Sequence, residues 1–255
     1  MRANRPNDAA DARCFNDSMT TALPSLFVSH GSPMIALEPG EAGAFMRRLG
    51  PQIDATFGRP RAIVSVSAHT TARMPMLLAA ARHEAIYDFG GFDPKLQTLR
   101  YDAPGAPALA PRVAALLGAA GIAVHTVAEG VLVLGSGSIT HNLRRVFSNG
   151  LRAATHQPEI PESAAFRGWM QQHSAARDWD ALFAYRSQAP HAVDMHPTDE
   201  HLLPWYVAAG AGGRDAAPVR LHDSVTLGSL GMDAYAFGVP ALQLAAALQA
   251  EPLPP

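Results

Sequence analysis

The sequence lacks the residues that several common classes of protein depend on. Its 255 residues include one cysteine, Cys14, so no disulfide can form within the chain and a thiolate metal site is excluded. Charged residues make up 16% of the chain and the net charge is −2, which indicates no basic surface for nucleic acid. No apolar run approaches the roughly 18 residues that a membrane-spanning helix needs. We therefore expect a cytoplasmic protein without nucleic-acid or membrane partners.

The beginning of the chain differs in composition from the remainder. Residues 1–22 are mostly polar and mixed in charge, and they lack the apolar core of a signal peptide. The rest is long enough to bury one large core and contains no repeat or clear linker. We expect a flexible N-terminal arm over 1–22 and a single domain over 23–250.

Three short apolar runs share one form, a β-rich stretch followed by small and polar residues and a histidine. They are 24–33, 61–71 and 130–142. Helical patterns lie between them, over 41–50, which ends on a glycine, and over 106–121. This alternation predicts an α/β fold, with a largely parallel or mixed central sheet flanked by helices.

The second half of the chain predicts two further helices. One long helix is expected over 161–185, with Phe166, Trp169 and Met170 on one side. The other is expected over 196–211, where Thr198 is a candidate N-cap.

One junction between two predicted strands is too short for a parallel sheet. The stretches 121–128 and 130–138 both have strand character, and only Glu129 separates them. Parallel neighbours need a crossover of about a dozen residues or more. These stretches therefore form an unusually tight antiparallel hairpin, or a segment is absent from this chain.

Eleven histidines against one cysteine indicate that the ligands of any bound metal are imidazole and carboxylate rather than thiolate. A single histidine at a strand end is more often a hydrogen-bonded turn residue than a ligand. Parallel strands, however, bring their carboxyl ends to one edge of the sheet, where ligands bind. His30, His69 and His141 are therefore candidates for one pocket, and His201 can supply a fourth imidazole. Such a group suits zinc, iron or nickel.

Three other features leave alternatives open. His196 precedes a proline, and it is either a residue at the start of a helix or a group that supports the site. The stretch 87–92, YDFGGF, is either a loop that folds over a planar ligand or a turn anchored by core aromatic residues. The stretch 135–138, GSGS, lacks the lysine and the glycine spacing of a nucleotide-binding loop.

Several motifs occur together in an order that is more specific than any one of them. They are SHGSPM, RPRAIVSVSAH, YDFGGF, YDAPGAPALA, VLGSGSITHNLR and HPTDEHLLPWYVAAGA. Over residues 24–237 this set resembles class III extradiol ring-cleavage dioxygenases of the DOPA-dioxygenase type, the LigB-like catalytic subunit family. The resemblance implies a catalytic α/β domain with a mononuclear metal at the carboxyl ends of the strands. It also implies that a catechol-type substrate and O2 react there.

The same resemblance implies roles for individual residues. His30, His69 and His201 match the metal ligands of the family. His141 matches a histidine that faces the metal as an acid/base catalyst or as an occasional fourth ligand. Ser32, Phe89 and His196 lie within the matching motifs and are candidate substrate-binding residues. The functional metal of the family is Fe(II), although zinc is often found in purified members, and a homo-oligomer is possible.

The chain departs from the family pattern at the short junction. Family members carry an Asp-His-Gly turn, a strand and a helix where this sequence has almost nothing between residues 128 and 131. Two alternatives stay open. One is a zinc-dependent hydrolase that uses the same imidazoles to activate water. The other, which the missing segment keeps open, is a non-catalytic descendant that binds a metal or an aromatic molecule.

Overall fold

A computed structural model describes residues 22–69, 76–83, 85–87, 91–119, 131–147 and 157–250. The strands are β1 (Ser25–Ser29), β2 (Ala62–Ser67), β3 (Val131–Gly137), β4 (Val219–His222), β5 (Val225–Thr226), β6 (Leu230–Gly231) and β7 (Ala234–Phe237). The α-helices are α1 (Gly40–Phe57), α2 (Ala110–Ala119), α3 (Leu143–Phe147), α4 (Pro161–Ala176), α5 (Trp179–Phe183), α6 (Tyr185–Gln188), α7 (Ala192–Met195), α8 (Leu203–Gly212) and α9 (Ala241–Ala250). Short 3-10 helices occupy Pro33–Ala36 and Pro94–Thr98.

Five of the strands form one mixed sheet in the order β2-β3-β1-β7-β4. The first three strands are parallel to one another, whereas β7 and β4 pair in antiparallel fashion. The prediction of a single α/β domain with a central sheet flanked by helices is confirmed. In the part of the chain that the structure describes, no helix has the length and apolarity needed to cross a membrane.

The central strand β1 sends alternate side chains into two separate cores. Phe27 joins the core on one face of the sheet, together with Trp205 of α8. Leu26 joins the core on the other face, which α1 and α9 cover. Since successive side chains of a strand point to opposite faces, both cores fix the position of β1 and of the residue that follows it.

Strand β3 lies between two neighbours. It pairs with β1 over Leu134–Gly137 on one side and with β2 over Val131–Ser136 on the other. The short junction before β3 falls within residues 120–130, which include Glu129 and lie outside the described residues. Its two interpretations, a tight hairpin and an absent segment, therefore both stay predictions.

Helix α1 is longer than the sequence pattern predicts. The expectation that it ends at Gly50 is wrong, because the helix runs through Pro51 to Phe57. A proline within a helix removes one backbone hydrogen bond and crowds the preceding turn. The next turn buries Ile53 against the core formed with α9, and this burial explains why the helix continues.

The long helix predicted over 161–185 is wrong, because it is broken into α4 and α5. Arg177 adopts a left-handed conformation with φ 56°, which ends α4. Asp178 then begins α5, and its side chain accepts a hydrogen bond from the backbone N–H of Ala181. The predicted apolar side is correct, since Phe166 and Met170 are fully buried.

The N-terminus of α8 also differs from the prediction. Thr198 does not cap the helix, because its hydroxyl donates to Glu200 and the helix begins at Leu203. Residues 198–202 instead form turns, which place His201 just before the helix. The proline at 204 suits a position in the first turn, where its missing N–H costs no hydrogen bond.

A buried ion-pair network holds the end of β1 in place. Arg167 of α4 is 5% exposed, and its Nε donates to Asp233 Oδ2 at 2.7 Å. The same guanidinium donates to both oxygens of Glu159 at 2.9 Å. The backbone carbonyl of Asp233 accepts a hydrogen bond from the N–H of Ser29 at 3.2 Å. The network therefore connects α4 to the last residue of β1.

Candidate metal centre

His30 follows β1 directly, and β3 holds it through both its backbone and its ring. Its backbone N–H donates to the carbonyl of Gly137 at 2.9 Å. Its ring Nδ1 lies 3.0 Å from the hydroxyl of Ser136. The other ring nitrogen, Nε2, lies 2.9 Å from Nε2 of His69. The ring thus points its Nε2 away from β3 and toward the other histidines.

His69 and His201 reach the same place from different elements. His69 lies two residues beyond β2 and is exposed, and its backbone N–H donates to the Ser67 hydroxyl at 3.1 Å. His201 precedes α8 and is buried, and its carbonyl accepts a hydrogen bond from the N–H of Ser138 at 2.9 Å. A Cβ at Gly137 would overlap that carbonyl oxygen, so only glycine permits this close approach.

The three imidazoles form a compact group of donor atoms. One ligand nitrogen from each of His30, His69 and His201 lies within 4.8 Å of the others. The Nε2 of His201 is buried and has no hydrogen-bond partner among the described residues. An unpaired buried nitrogen beside two further imidazoles fits a metal ion, because a cation would satisfy it. Three protein ligands with one exposed side are typical of a catalytic metal site with open positions.

His141 lies against His201 rather than between the other two rings. The two rings are stacked, with centroids 3.4 Å apart and planes 9° apart. The backbone N–H of His141 donates to the carbonyl of Met195, which fixes the loop after β3. His141, Glu200 and His201 form a second group of donor atoms within 4.8 Å of one another. His201 therefore belongs to both candidate ligand sets.

Burial keeps His30, His141 and His201 neutral at neutral pH. Burial first, and the neighbouring His69 and His141 after it, lower the pKa of His30 from 6.5 to about 4. Burial also lowers the pKa of His141 to about 4, although Glu200 opposes this shift. The pKa of His201 is lowered by burial and then by the charges of the surrounding histidines. Neutral imidazoles are the form that binds metal ions.

Ser32 lies two residues beyond His30, at the edge of a large cavity. Its hydroxyl accepts a hydrogen bond from the N–H of Met34 and caps the 3-10 helix Pro33–Ala36. The cavity has a volume of about 640 Å³, and its lining includes Ser32, Phe92 and Met232. Its acidic lining residues are Glu38, Glu41 and Asp93. Substrate contact by Ser32 stays a prediction.

Of the other two predicted substrate-binding residues, the structure describes His196 but not Phe89. His196 is 0% exposed, and its Nε2 donates to the carbonyl of Ile139 at 2.7 Å. Burial lowers its pKa to about 4. This position matches the alternative in which His196 supports the site from behind, and its contact with substrate stays a prediction. Phe89 lies outside the described residues.

Two residues at the site were not identified from the sequence. Glu200 lies 3.4 Å from Nδ1 of His201, and the pattern indicated only a favourable charge in a first helical turn. Ser136 contacts His30, yet GSGS was considered only as a phosphate-binding loop. One pattern in the sequence could have identified Ser136. In GSGS, glycine alternates with serine at the end of a strand, and His141 follows.

Comparison with known proteins identifies related chains. Residues 123–238 match the family described as the catalytic LigB subunit of aromatic ring-opening dioxygenase. The chain is 27% identical to a 4,5-DOPA dioxygenase extradiol of Beta vulgaris, with 84% of this chain and 96% of the relative covered. It is 28% identical to the protein of the same name from Escherichia coli (strain K12), with coverage of 84% and 94%.

A solved structure shares the fold. The crystal structure of an uncharacterized protein from Escherichia coli K12 matches with a TM-score of 0.56 at 21% identity. The match covers 85% of this chain and 100% of the other.

The alignment with the Beta vulgaris relative is longer than the aligned part of this chain. It spans 264 positions, whereas 84% of the 255 residues is about 214. About 50 positions of the alignment therefore have no counterpart here. An absent segment between residues 128 and 131 stays a prediction, because neither the alignment length nor the described residues locate the difference.

We predict that the metal-free protein loses stability as the pH falls from 7 to 5. His30, His141 and His196 have a folded pKa of about 4, below the ordinary value of 6.5. Between these values the unfolded chain binds more protons than the folded one, so the free energy of unfolding rises with pH. Urea denaturation at several pH values measures it.

The variant His196→Gln serves as the comparison for this pH series. It keeps a side-chain donor for Ile139 and removes one titrating group, so its slope against pH should be smaller. A free energy of unfolding that stays constant from pH 7 to pH 5 would contradict the prediction.

Proposed function

We propose that this chain, which matches the LigB family over residues 123–238 and is similar to 4,5-DOPA dioxygenases, opens the ring of a catechol-type aromatic substrate with O2. His30, His69 and His201 would hold the one metal ion at which the substrate reacts. The observation that carries the proposal is the convergence of these three imidazoles from the ends of β1 and β2 and from the start of α8. Each belongs to a different element, so the fold itself assembles the donor set.

The donor set matches Fe(II) better than a structural zinc site. Three imidazole ligands leave coordination positions open, and His69 is exposed to solvent. When bound, Fe(II) would supply the redox chemistry that O2 activation requires, which zinc lacks. We therefore propose Fe(II) as the functional metal and zinc as a non-productive occupant.

His141 is the proposed acid/base residue. It is neutral at neutral pH because burial lowers its pKa, so its ring can accept the proton of a substrate hydroxyl group. Its ring is stacked on that of His201, which keeps it beside the donor set. Glu200 lies close to both rings, and its negative charge would stabilise the protonated imidazole.

The cavity beside Ser32 is the proposed space for the substrate ring and its substituents. Ser32 and His30 are separated by one residue, Gly31, whose φ of 59° turns the chain sharply between them. This turn places the cavity lining next to a proposed ligand. Ser32, Phe89 and His196 remain the proposed substrate-binding residues, with Phe89 outside the described ranges.

The location, the oligomeric state and the domain bounds of the protein are also proposals. We propose a cytoplasmic protein with a small aromatic substrate, and a homo-oligomer is compatible with the sequence. The N-terminal arm over 1–22 and the catalytic domain over 23–250 are proposed bounds.

We predict ring cleavage when the protein is loaded with Fe(II) under anaerobic conditions and then given a catechol and air. The expected product is a yellow muconic semialdehyde-type compound, formed with consumption of O2. Absorbance and an oxygen electrode measure both. The zinc-loaded protein is the matched control and should consume no O2. Iron-loaded protein that binds catechols without consuming O2 would overturn the proposal, and so would hydrolytic activity with zinc alone.

We predict that His30→Ala and His201→Ala abolish metal retention, since each removes one of three ligands. The loss should exceed the roughly 10- to 100-fold weakening typical of a lost outer partner. His141→Ala should retain the metal and lose turnover. Metal content by elemental analysis and the rate of O2 uptake separate the two outcomes.

The control for these histidine variants is His191→Asn. His191 is exposed and has a φ of 56°, which asparagine tolerates, so this variant should keep both metal and turnover. Loss of the metal in His141→Ala would show that the assigned division of roles is wrong.

A further inference from the structure

We infer that Ser136 is a positioning residue that fixes the ring of His30, and that GSGS (135–138) is the frame of the metal centre. The inference rests on the proposed metal site and adds a residue to which no role in the site has been given. Ser136 belongs to β3, whereas His30 follows β1, so the contact crosses between two paired strands.

The strand register places Ser136 and His30 on the same face of the sheet. Val28 pairs with Ser136, and His30 follows Val28 by two residues, so their side chains point in the same direction. The Ser136 hydroxyl then lies 3.0 Å from Nδ1 of His30. This distance is that of a normal hydrogen bond.

The two neighbours of Ser136 explain why the segment alternates glycine with serine. A Cβ at Gly135 would overlap the carbonyl oxygen of Pro204, and one at Gly137 would overlap that of His201. These two positions therefore face the start of α8 and cannot carry a side chain. Ser136 faces the opposite side, where a side chain has room and meets His30.

Metal binding through Nε2 would require one tautomer of His30, and the Ser136 hydroxyl is placed to accept its proton. Neutral imidazole carries one proton, and a ring that binds a metal through Nε2 must carry that proton on Nδ1. The Nδ1–H then donates to the Ser136 hydroxyl, which leaves the lone pair of Nε2 facing His69. Partners of this kind fix both the tautomer and the ring orientation of metal ligands.

Ser138, the other serine of GSGS, makes different contacts from those of Ser136. The Ser138 hydroxyl donates to the carbonyl of Thr140 at 2.8 Å and is fully buried. Its backbone N–H holds the carbonyl of His201. Among the described residues, Ser136 is the side chain that contacts Nδ1 of His30, so its removal leaves that nitrogen without its partner.

The test measures Co(II) binding to the metal-free protein with Ser136→Ala, Ser136→Thr and the unaltered chain. Ser136→Ala should bind Co(II) about 10- to 100-fold more weakly, which is the usual effect of losing an outer partner. Ser136→Thr keeps the hydroxyl and should restore binding. Ser174→Ala is the control, because Ser174 is a buried serine of α4 outside the site.

A second measurement separates positioning from a general loss of structure. Nitrogen NMR of 15N-histidine-labelled, metal-free protein reports which ring nitrogen of His30 carries the proton. The unaltered chain and Ser136→Thr should show the Nδ1–H form, whereas Ser136→Ala should show a mixture of both forms. Urea denaturation checks that the variants fold.

The outcomes also distinguish this inference from the proposed function. If the unaltered chain fails to bind Co(II) through its histidines, the proposed metal site itself is wrong. If it binds Co(II) and Ser136→Ala binds equally tightly with His30 still in the Nδ1–H form, the assignment of Ser136 is overturned.

Discussion

The close approach between the end of β3 and the loop before α8 is the constraint on which the site depends. The backbone N–H of Ser138 binds the carbonyl of His201, and Gly137 has no side chain to separate the two segments. The carbonyl of Gly137 accepts the N–H of His30 at 2.9 Å. One strand end therefore holds two of the three imidazoles, although they lie far apart in the sequence. Any side chain at 137 would displace His201 from the group.

The electrostatics of the cluster follow from this crowding. His30, His141 and His201 lie too close together to be protonated at the same time without repulsion, and desolvation of their rings disfavours the charged form. Glu200 lies near His141 and His201. Its single negative charge does not reverse the lowering of their pKa values. The folded chain thus presents neutral nitrogen donors at neutral pH. A bound cation would stabilise the folded state, because the unfolded chain does not assemble the same donors.

The sequence predicts the three parallel strands well, because short apolar runs ending in small residues leave few alternatives, whereas the four short strands between Val219 and Phe237 were not predicted. The runs ending near His30 and His69 became β1 and β2 with bounds close to those expected. Helix ends were predicted less well. Periodicity does not reveal that Arg177 takes a left-handed conformation, or that burying Ile53 carries α1 beyond Pro51. These outcomes depend on tertiary contacts, which override local preference.

The sequence likewise predicts only part of the candidate site. His30, His69 and His201 could be named from strand ends and from family resemblance, whereas Ser136 and Glu200 could not. The role of Ser136 depends on β3 lying beside β1 in one particular register. The local sequence pattern does not determine the order or register of the strands. The short junction near Glu129 was visible as a geometric conflict, and both of its explanations stay predictions because residues 120–130 lie outside the described residues.

The most direct test of the account is the position of the metal in crystals of the iron-loaded protein. Anomalous diffraction at the iron absorption edge locates the ion independently of any assumption about its ligands. The account predicts one peak, bonded to ring nitrogens of His30, His69 and His201, with His141 nearby and not required as a ligand. An ion bound instead by His141, Glu200 and His201, with His30 and His69 free, would contradict it.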